Sequence, residues 1–260
     1  TDITVSLTFT TDGMGTNALE SAITVPFTID GSSTAATPSD YTIAGSSVTI
    51  PTSGVSQTIT VTVIDGAIDE SDETVIVTLG TETDGTAAQQ AVVTPGSPTV
   101  HTLTLTDDDT AGVTVSQTAV SATEGGATGS YTVVLTSQPT ASVTVTVTGD
   151  ADVSVSPTSL IFTTSNWNSA QPVTVTAVND RIVEGTHSGT ITHSAAGGDY
   201  GSVSIAGVTV TITDNDSATY QFTATSSTVG EAVGTTDITV SLTFTTDGMG
   251  TNALESAITV

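Results

Sequence analysis

The run "LTLTDDDTAG" (103–112) ends in three adjacent carboxylates, Asp107, Asp108 and Asp109. A second version, "VTITDNDSAT" (210–219), carries Asp214, Asn215 and Asp216 at an offset of 107 positions (214 − 107). Carboxylates also collect at Glu124 in "SATEGG" and Glu231 in "STVGEAV", each 17 residues after the first Asp of a terminal cluster (124 − 107 and 231 − 214). A third kind of place is the loop "VIDGAIDESDE" (63–73), with Asp65, Asp69, Glu70, Asp72 and Glu73, and Asp40 in "TPSDYTI" adds a further candidate. Side chains of this type do one of two things. Singly, they bond nearby backbone N–H groups in turns. Where several converge, they hold a hard divalent cation: Ca²⁺ takes 6–8 oxygen ligands, whereas softer metals want His or Cys.

Charge decides how much weight convergence carries. The 260 residues contain 27 Asp plus Glu against one basic residue, Arg181, for a formal charge of −26. Two unit charges 4 Å apart repel by about 4 kcal/mol at an effective dielectric of 20. Several such pairs would exceed most of a domain's stability of about 5–15 kcal/mol. Either the acidic loops stay apart as solvated turns, or a cation joins them. One acidic loop alone reads as a solvated turn; recurrence of the whole pattern favours calcium.

The same charge argues against nucleic-acid and anionic-membrane partners, which need clustered Lys and Arg. No cysteine is present, so disulfides, thiol catalysis and thiolate metal sites are excluded. No apolar run approaches the roughly 18 residues of a membrane span. His101, His187 and His193 show no metal spacing and read as ordinary surface or strand residues. There is no G-x-S-x-G elbow, and with aromatics at only 4% the acidic pairs lack the platforms expected of a glycosidase cleft. Trp167 in "SNWNSAQP" reads as a packing residue beside a loop. No enzymatic role is expected.

The elements that must position these carboxylates are strands. Ile59, Val61 and Val63 alternate with Thr, as do Val143, Val145 and Val147, and Val208, Val210 and Ile212. Period-2 alternation of β-branched residues means half-buried strands. Turn residues punctuate them every 8–12 positions or so, the spacing of a sandwich with about seven strands per unit.

Self-comparison supplies the organisation. "TDITVSLTFTTDGMGTNALESAITV" occupies 1–25 and returns unchanged at 236–260, a period of 235 (236 − 1). Within it, "TDDDTAGVTVSQTAVSATEGG" aligns with "TDNDSATYQFTATSSTVGEAV" at an offset of 107, and "VTVIDGAIDESDETVIV" (61–77) with "VTAVNDRIVEGTHSGTI" (175–191) at 114 (175 − 61). Two related units therefore alternate: 1–110, a shorter 111–217, and the start of a third at 218–260. The pattern opens mid-unit, so the chain is expected to be an excerpt of a longer array. As a complete subunit, its unfinished ends would instead complete one another between chains.

"DYTIAGSSVTIPTSGVSQTITVTVIDGAIDESDETVIVTLG" (40–80) followed by "HTLTLTDDD" (101–109) resembles the Calx-beta domain. The resemblance implies an all-β architecture of tandem immunoglobulin-like antiparallel β-sandwiches, with Ca²⁺ bound at the end where the chain leaves each domain. Carried over, it implies Asp40, Asp65, Glu70, Asp72 or Glu73, and Asp107–Asp109 as ligands in the longer unit. That unit's early Glu would precede Thr1, and Glu231 is its equivalent in the next copy. The shorter unit keeps Glu124, Asp152, Asp180, Glu184, Asp214 and Asp216, but has Thr186 and His187 where Asp72 and Glu73 align. It is expected to bind fewer ions, or to bind them more weakly.

The expected function is a structural repeat of an extracellular or surface filament or adhesin stalk, stiffened by Ca²⁺ at unit junctions. Its expected partners are neighbouring repeats or copies of itself, with extracellular polysaccharide or a cell surface as a further target. A calcium-sensing module and a polysaccharide-binding module are the alternatives. Near-identical tandem copies disfavour the first, and the scarcity of aromatics disfavours the second.

Overall fold

The computed structural model describes residues 2–6, 19–52, 56–83, 93–231, 235–245 and 253–254. By its contacts the chain divides into two compact units, Thr1–Asp109 and Thr110–Val260. Among the described residues no helix forms, so none is long and apolar enough to cross a membrane.

The first unit contains β1 (Asp2–Ser6), β2 (Ile23–Ile29), β3 (Tyr41–Ile43), β4 (Ser47–Ile50), β5 (Ser56–Val63), β6 (Glu73–Leu79) and β7 (Val100–Leu105). They form two sheets, β1-β5-β3 and β4-β2-β6-β7, antiparallel throughout. Ile59 and Val61 of one sheet and Ile23, Val75 and Val77 of the other are at most 2% exposed and share one core, whereas Val63, expected on the same buried face, is 46% exposed at the end of β5 beside the acidic loop. Each of the buried side chains contributes about 1.5–3 kcal/mol.

The second unit contains β8 (Val113–Val115), β9 (Ala119–Thr123), β10 (Gly129–Leu135), β11 (Val143–Gly149), β12 (Val153–Ser156), β13 (Ser159–Phe162), β14 (Gln171–Ala177), β15 (Ile182–Val183), β16 (His187–Ala196) and β17 (Val208–Thr213). Its sheets run β12-β14-β10-β8 and β13-β11-β16-β17-β9. Nine of these ten strands make up the two sheets, where about seven are expected, in part because the opening stretch divides between the sheets. β8 pairs antiparallel with β10, and after a short crossing β9 pairs parallel with β17, Val120 opposite Val210 and Thr123 opposite Thr213. Trp167 is half-buried against this unit's core. Tyr200, fully buried, donates its hydroxyl to the Ser137 carbonyl at 2.7 Å, stapling two loops together.

The sheet orders correspond: β1-β5-β3 repeats as β10-β14-β12, and β4-β2-β6-β7 as β13-β11-β16-β17. No counterpart of β8 or β9 occurs among the described residues of the first unit, so β7 is an edge strand there. Beyond β17 the chain makes β18 (Ser217–Phe222) and β19 (Val240–Thr245), an antiparallel ladder forming its own two-stranded sheet. β20 (Ala253–Leu254) makes a two-residue parallel pair with β15.

Candidate metal centres

Strand direction gathers the shorter unit's carboxylates. β9 and β17 run parallel and in register to Thr123 and Thr213, so the residues that follow, Glu124 and Asp214, emerge side by side. The Glu124 amide donates to the Thr213 carbonyl at 3.0 Å and fixes that meeting. β16 is antiparallel to β17 with His187 opposite Ile212, which brings its preceding loop, with Asp180 and Glu184, to the same end. The loops are then tied together. Asp214 accepts the amides of Glu184 and Gly185 through Oδ2, both at 2.8 Å, and that of Asp216 through Oδ1 at 2.7 Å. Asn215 Nδ2 donates to the Glu124 carbonyl at 3.0 Å and to Asn179 Oδ1 at 2.9 Å. Gly125 is required beside it: its φ is +60°, and a Cβ there would lie 2.9 Å from Asn215 Nδ2.

Glu124 is the unusual member. It is 2% exposed, and neither carboxylate oxygen makes a hydrogen bond of full geometry. Burial pushes it above the usual carboxylate range, the Asp214 charge adds to this, and the nearby Asp180 amide only partly offsets them. Burial alone would also raise Asp214, but the amides of Asp216, Gly185 and Glu184 together outweigh it and hold Asp214 low. Oxygens of Glu124, Asp214 and Asp216 all lie within 4.8 Å of one another, and a second such group joins Glu124 to Glu184 and His187.

The first unit builds the same end from the same pairings. Glu73 stands opposite Leu105 and Tyr41 opposite Val63, so Asp40, the loop after β5 and the residues after β7 meet. They line a cleft of about 340 Å³ that includes Asp40, Asp65, Glu70, Glu73, Asp107, Asp108 and Asp109. Asp107 Oδ2 accepts the Glu70 amide, and Asp72 Oδ1 accepts the Asp107 amide, both at 3.2 Å. Asp109 is raised by burial and then by the charges of Asp107, Asp108, Asp65 and Asp69. Glu73 is raised by burial, then by its hydrogen bond to Asp40 and by the charges of Asp40 and Glu70. Asp40 is held low, chiefly by the Ala36 amide. The two carboxyls are thus pushed in opposite directions.

The Calx-beta domain model matches residues 8–109, 106–216 and 213–256. The chain belongs to the Calx-beta domain family. Among solved structures it is similar to the calcium binding domain CBD12 of CALX1.1, at 18% identity and a TM-score of 0.39, covering 75% of this chain and 74% of that one. It is also similar to CBD12 from CALX1.2, at 14% identity and a TM-score of 0.37, covering 82% and 92%. No curated protein matches the chain.

The remaining sequence candidates of the Calx-beta units lie outside these two carboxylate groups and the cleft lining. Asp72 lies on the Asp107 amide rather than in the cleft lining. Asp180 Oδ1 accepts the Ile182 amide at 2.7 Å. Asp152 is exposed and acts on the cluster through its charge, which helps raise His187. Glu231 is exposed in a turn beyond β18.

His187, expected to be an ordinary strand residue, instead stands at the cluster, its Nε2 3.6 Å from Glu184 Oε2. The available signal was its alignment with Glu73. The donor set fits Ca²⁺: Glu124, Asp214 and Asp216 offer only oxygen, and Glu124 brings two buried oxygens with no hydrogen bond of full geometry, a costly arrangement unless something binds them.

Proposed function

We propose that this chain is a structural repeat region of a secreted or cell-surface filament or adhesin stalk, its Calx-beta units stiffened by Ca²⁺. One observation carries the calcium reading: Glu124, buried with neither oxygen in a hydrogen bond of full geometry, faces Asp214 and Asp216 in a chain with one basic residue. In the shorter unit Glu124, Asp214 and Asp216 would hold the ion, with Asp180 and Glu184 beside them. In the longer unit the ligands would come from Asp40, Asp65, Glu70, Glu73 and Asp107–Asp109. Bound Ca²⁺ supplies the positive charge that relieves their mutual repulsion.

Two sequence facts support the stalk. The unchanged return of 1–25 at 236–260 is what an array of like units contains. Only Thr110, Ala111 and Gly112 separate Asp109 from β8, so an ion at 107–109 acts on a short connection and restrains it. Extracellular modules bind Ca²⁺ with Kd of about 10⁻⁴–10⁻³ M, which suits an extracellular location.

Thermal unfolding with millimolar Ca²⁺, Mg²⁺ or chelator tests the calcium reading. Ca²⁺ alone should raise Tm by about 5–10 °C, from the mass-action gain of several weak sites. Equal shifts with Mg²⁺, or none, would sink it. Small-angle scattering tests the stiffening: Ca²⁺ should narrow the distribution of particle lengths, and an unchanged distribution would leave the ions without that role.

A further inference from the structure

One donor at the acidic end differs in kind between the two units. At the offset of 114, Glu70 and Glu73 of the longer unit correspond to Glu184 and His187 of the shorter (184 − 70 and 187 − 73). An oxygen donor is replaced by a ring nitrogen, and the loop holds that ring in a defined orientation. His187 Nδ1 lies 3.0 Å from the Gly185 carbonyl. A carbonyl only accepts, so Nδ1 carries the hydrogen and donates it. Gly185 takes a φ of +74°, and its amide, like that of Glu184, donates to Asp214 Oδ2 at 2.8 Å. Asp214 therefore fixes both Glu184 and the carbonyl that orients His187.

The other ring nitrogen is thereby turned to the carboxylates. His187 Nε2 lies 3.6 Å from Glu184 Oε2, and one ligand atom each of Glu124, Glu184 and His187 lie within 4.8 Å of one another. A gap of 3.6 Å is longer than an N–H···O hydrogen bond of about 2.7–3.2 Å. It is close to the roughly 3.3–3.4 Å between two ligands on a tetrahedral ion with bonds of about 2.0–2.1 Å. Glu124 is an independent sign of a ligand: it is 2% exposed, with neither oxygen in a hydrogen bond of full geometry. The side chains of Glu184 and His187 are 20% and 21% exposed, which leaves a solvent side where an ion can enter and keep a water. The other two histidines are placed differently. His193 has both ring nitrogens engaged, by Ala206 and Tyr131, and His101 is exposed on β7 of the other unit.

We propose that Glu124, Glu184 and His187 form a site for a borderline transition ion, Zn²⁺ above all, giving the shorter unit a metal preference that the longer unit lacks. Imidazole suits Zn²⁺, whereas Ca²⁺ and Mg²⁺ take oxygen. Three protein ligands with water in the fourth position is a common coordination for Zn²⁺. The bond from Nδ1–H to the Gly185 carbonyl is the outer-shell support that fixes the tautomer of a ligating imidazole. In the longer unit the aligned positions, Glu70 and Glu73, offer only oxygen. The Zn²⁺ site shares Glu124 with the calcium site proposed above and does not depend on it.

Isothermal titration of the full chain with Zn²⁺ in calcium-free buffer at neutral pH tests the site. One site per chain should stand above the weak background of exposed carboxylates. His187→Gln should weaken it by at least about tenfold, and His101→Gln should leave it unchanged. His187→Glu, which installs the longer unit's residue, should not restore it. NMR of the wild-type imidazoles guards against a folding artefact: Zn²⁺ should shift the His187 ring signals and leave those of His193 in place. Equal Zn²⁺ affinity in wild type and His187→Gln, or an unmoved His187 ring, would overturn the proposal. A parallel titration with Ca²⁺ separates the two sites. Uptake of Zn²⁺ through His187 without uptake of Ca²⁺ would keep this site and remove the calcium reading. Uptake of Ca²⁺ with Zn²⁺ binding indifferent to His187 would do the reverse.

Discussion

Asp214 accepts the Glu184 amide at 2.8 Å, and Asp107 accepts the amide of Glu70, the residue aligned with Glu184, at 3.2 Å. The first Asp of each terminal cluster is therefore a pin that fastens the mid-unit loop to the last strand. Loop placement in both units rests on this one carboxylate.

Replacing the pin should cost more in the shorter unit. Asp214 takes three amide hydrogen bonds, while Asp107 takes one long one from Glu70. In chelator, Asp214→Asn should lower stability by about 1.5–3 kcal/mol, the range for hydrogen bonds to a charged group, and Asp107→Asn by less than about 1.5. Urea unfolding followed through Trp167, which packs against the shorter unit's core, measures the first. Calorimetry measures both.

Glu124→Gln should change sign with calcium. In chelator it removes a buried charge raised by burial and by Asp214, and stability should rise, by about 1 kcal/mol at most given the amide left to satisfy. In millimolar Ca²⁺ the same variant should be less stable than wild type because a ligand is lost. Parallel melts in the two buffers decide it; a destabilised variant in chelator would mean that Glu124 is satisfied without an ion.

Gly125→Ala should be destabilising in both buffers. An L side chain at φ +60° costs about 1–2 kcal/mol, and the added Cβ presses on Asn215, which ties Glu124 to Asn179. Urea midpoints read the loss. Asn215→Ala alone should recover part of the clash in the double variant, and the double-variant cycle measures that coupling.

His193 makes the shorter unit sensitive to mild acid. Its Nδ1–H donates to the Ala206 carbonyl, so neutral Nε2 accepts the Tyr131 hydroxyl at 2.7 Å. Burial holds the His193 pKa below its ordinary value and pushes Tyr131 up to about 12. With the folded pKa below the unfolded one, the unfolded chain binds the extra proton. This contribution is full above pH about 6.5 and is lost as pH falls toward the folded pKa. Urea unfolding in chelator at pH 7.5 and 5.5 should show the loss, and His193→Gln should flatten it. NMR titration of the imidazole should give a midpoint below 6.5 in the folded chain; one at or above it would refute the account.

The sequence by itself determined the all-β class, the alternation of two related units and the acidic stretches of each, because strand alternation, an unchanged repeat and a charge of −26 are properties of the chain in one dimension. Pairing across long separations decided the rest. Glu124 meets Asp214 because β9 runs parallel to β17, a relation that residue spacing does not contain. His187 joins Glu124 and Glu184 through the register of β16 on β17, although its sequence context shows no metal spacing. Asp72 and Asp108 are close neighbours of Asp107 in kind, yet Asp72 bonds a backbone amide while Asp108 lines the cleft. Local patterning sets which face of a strand is buried. Only the register between strands distant in sequence sets which loop ends meet, and there the carboxylates acquire a shared site.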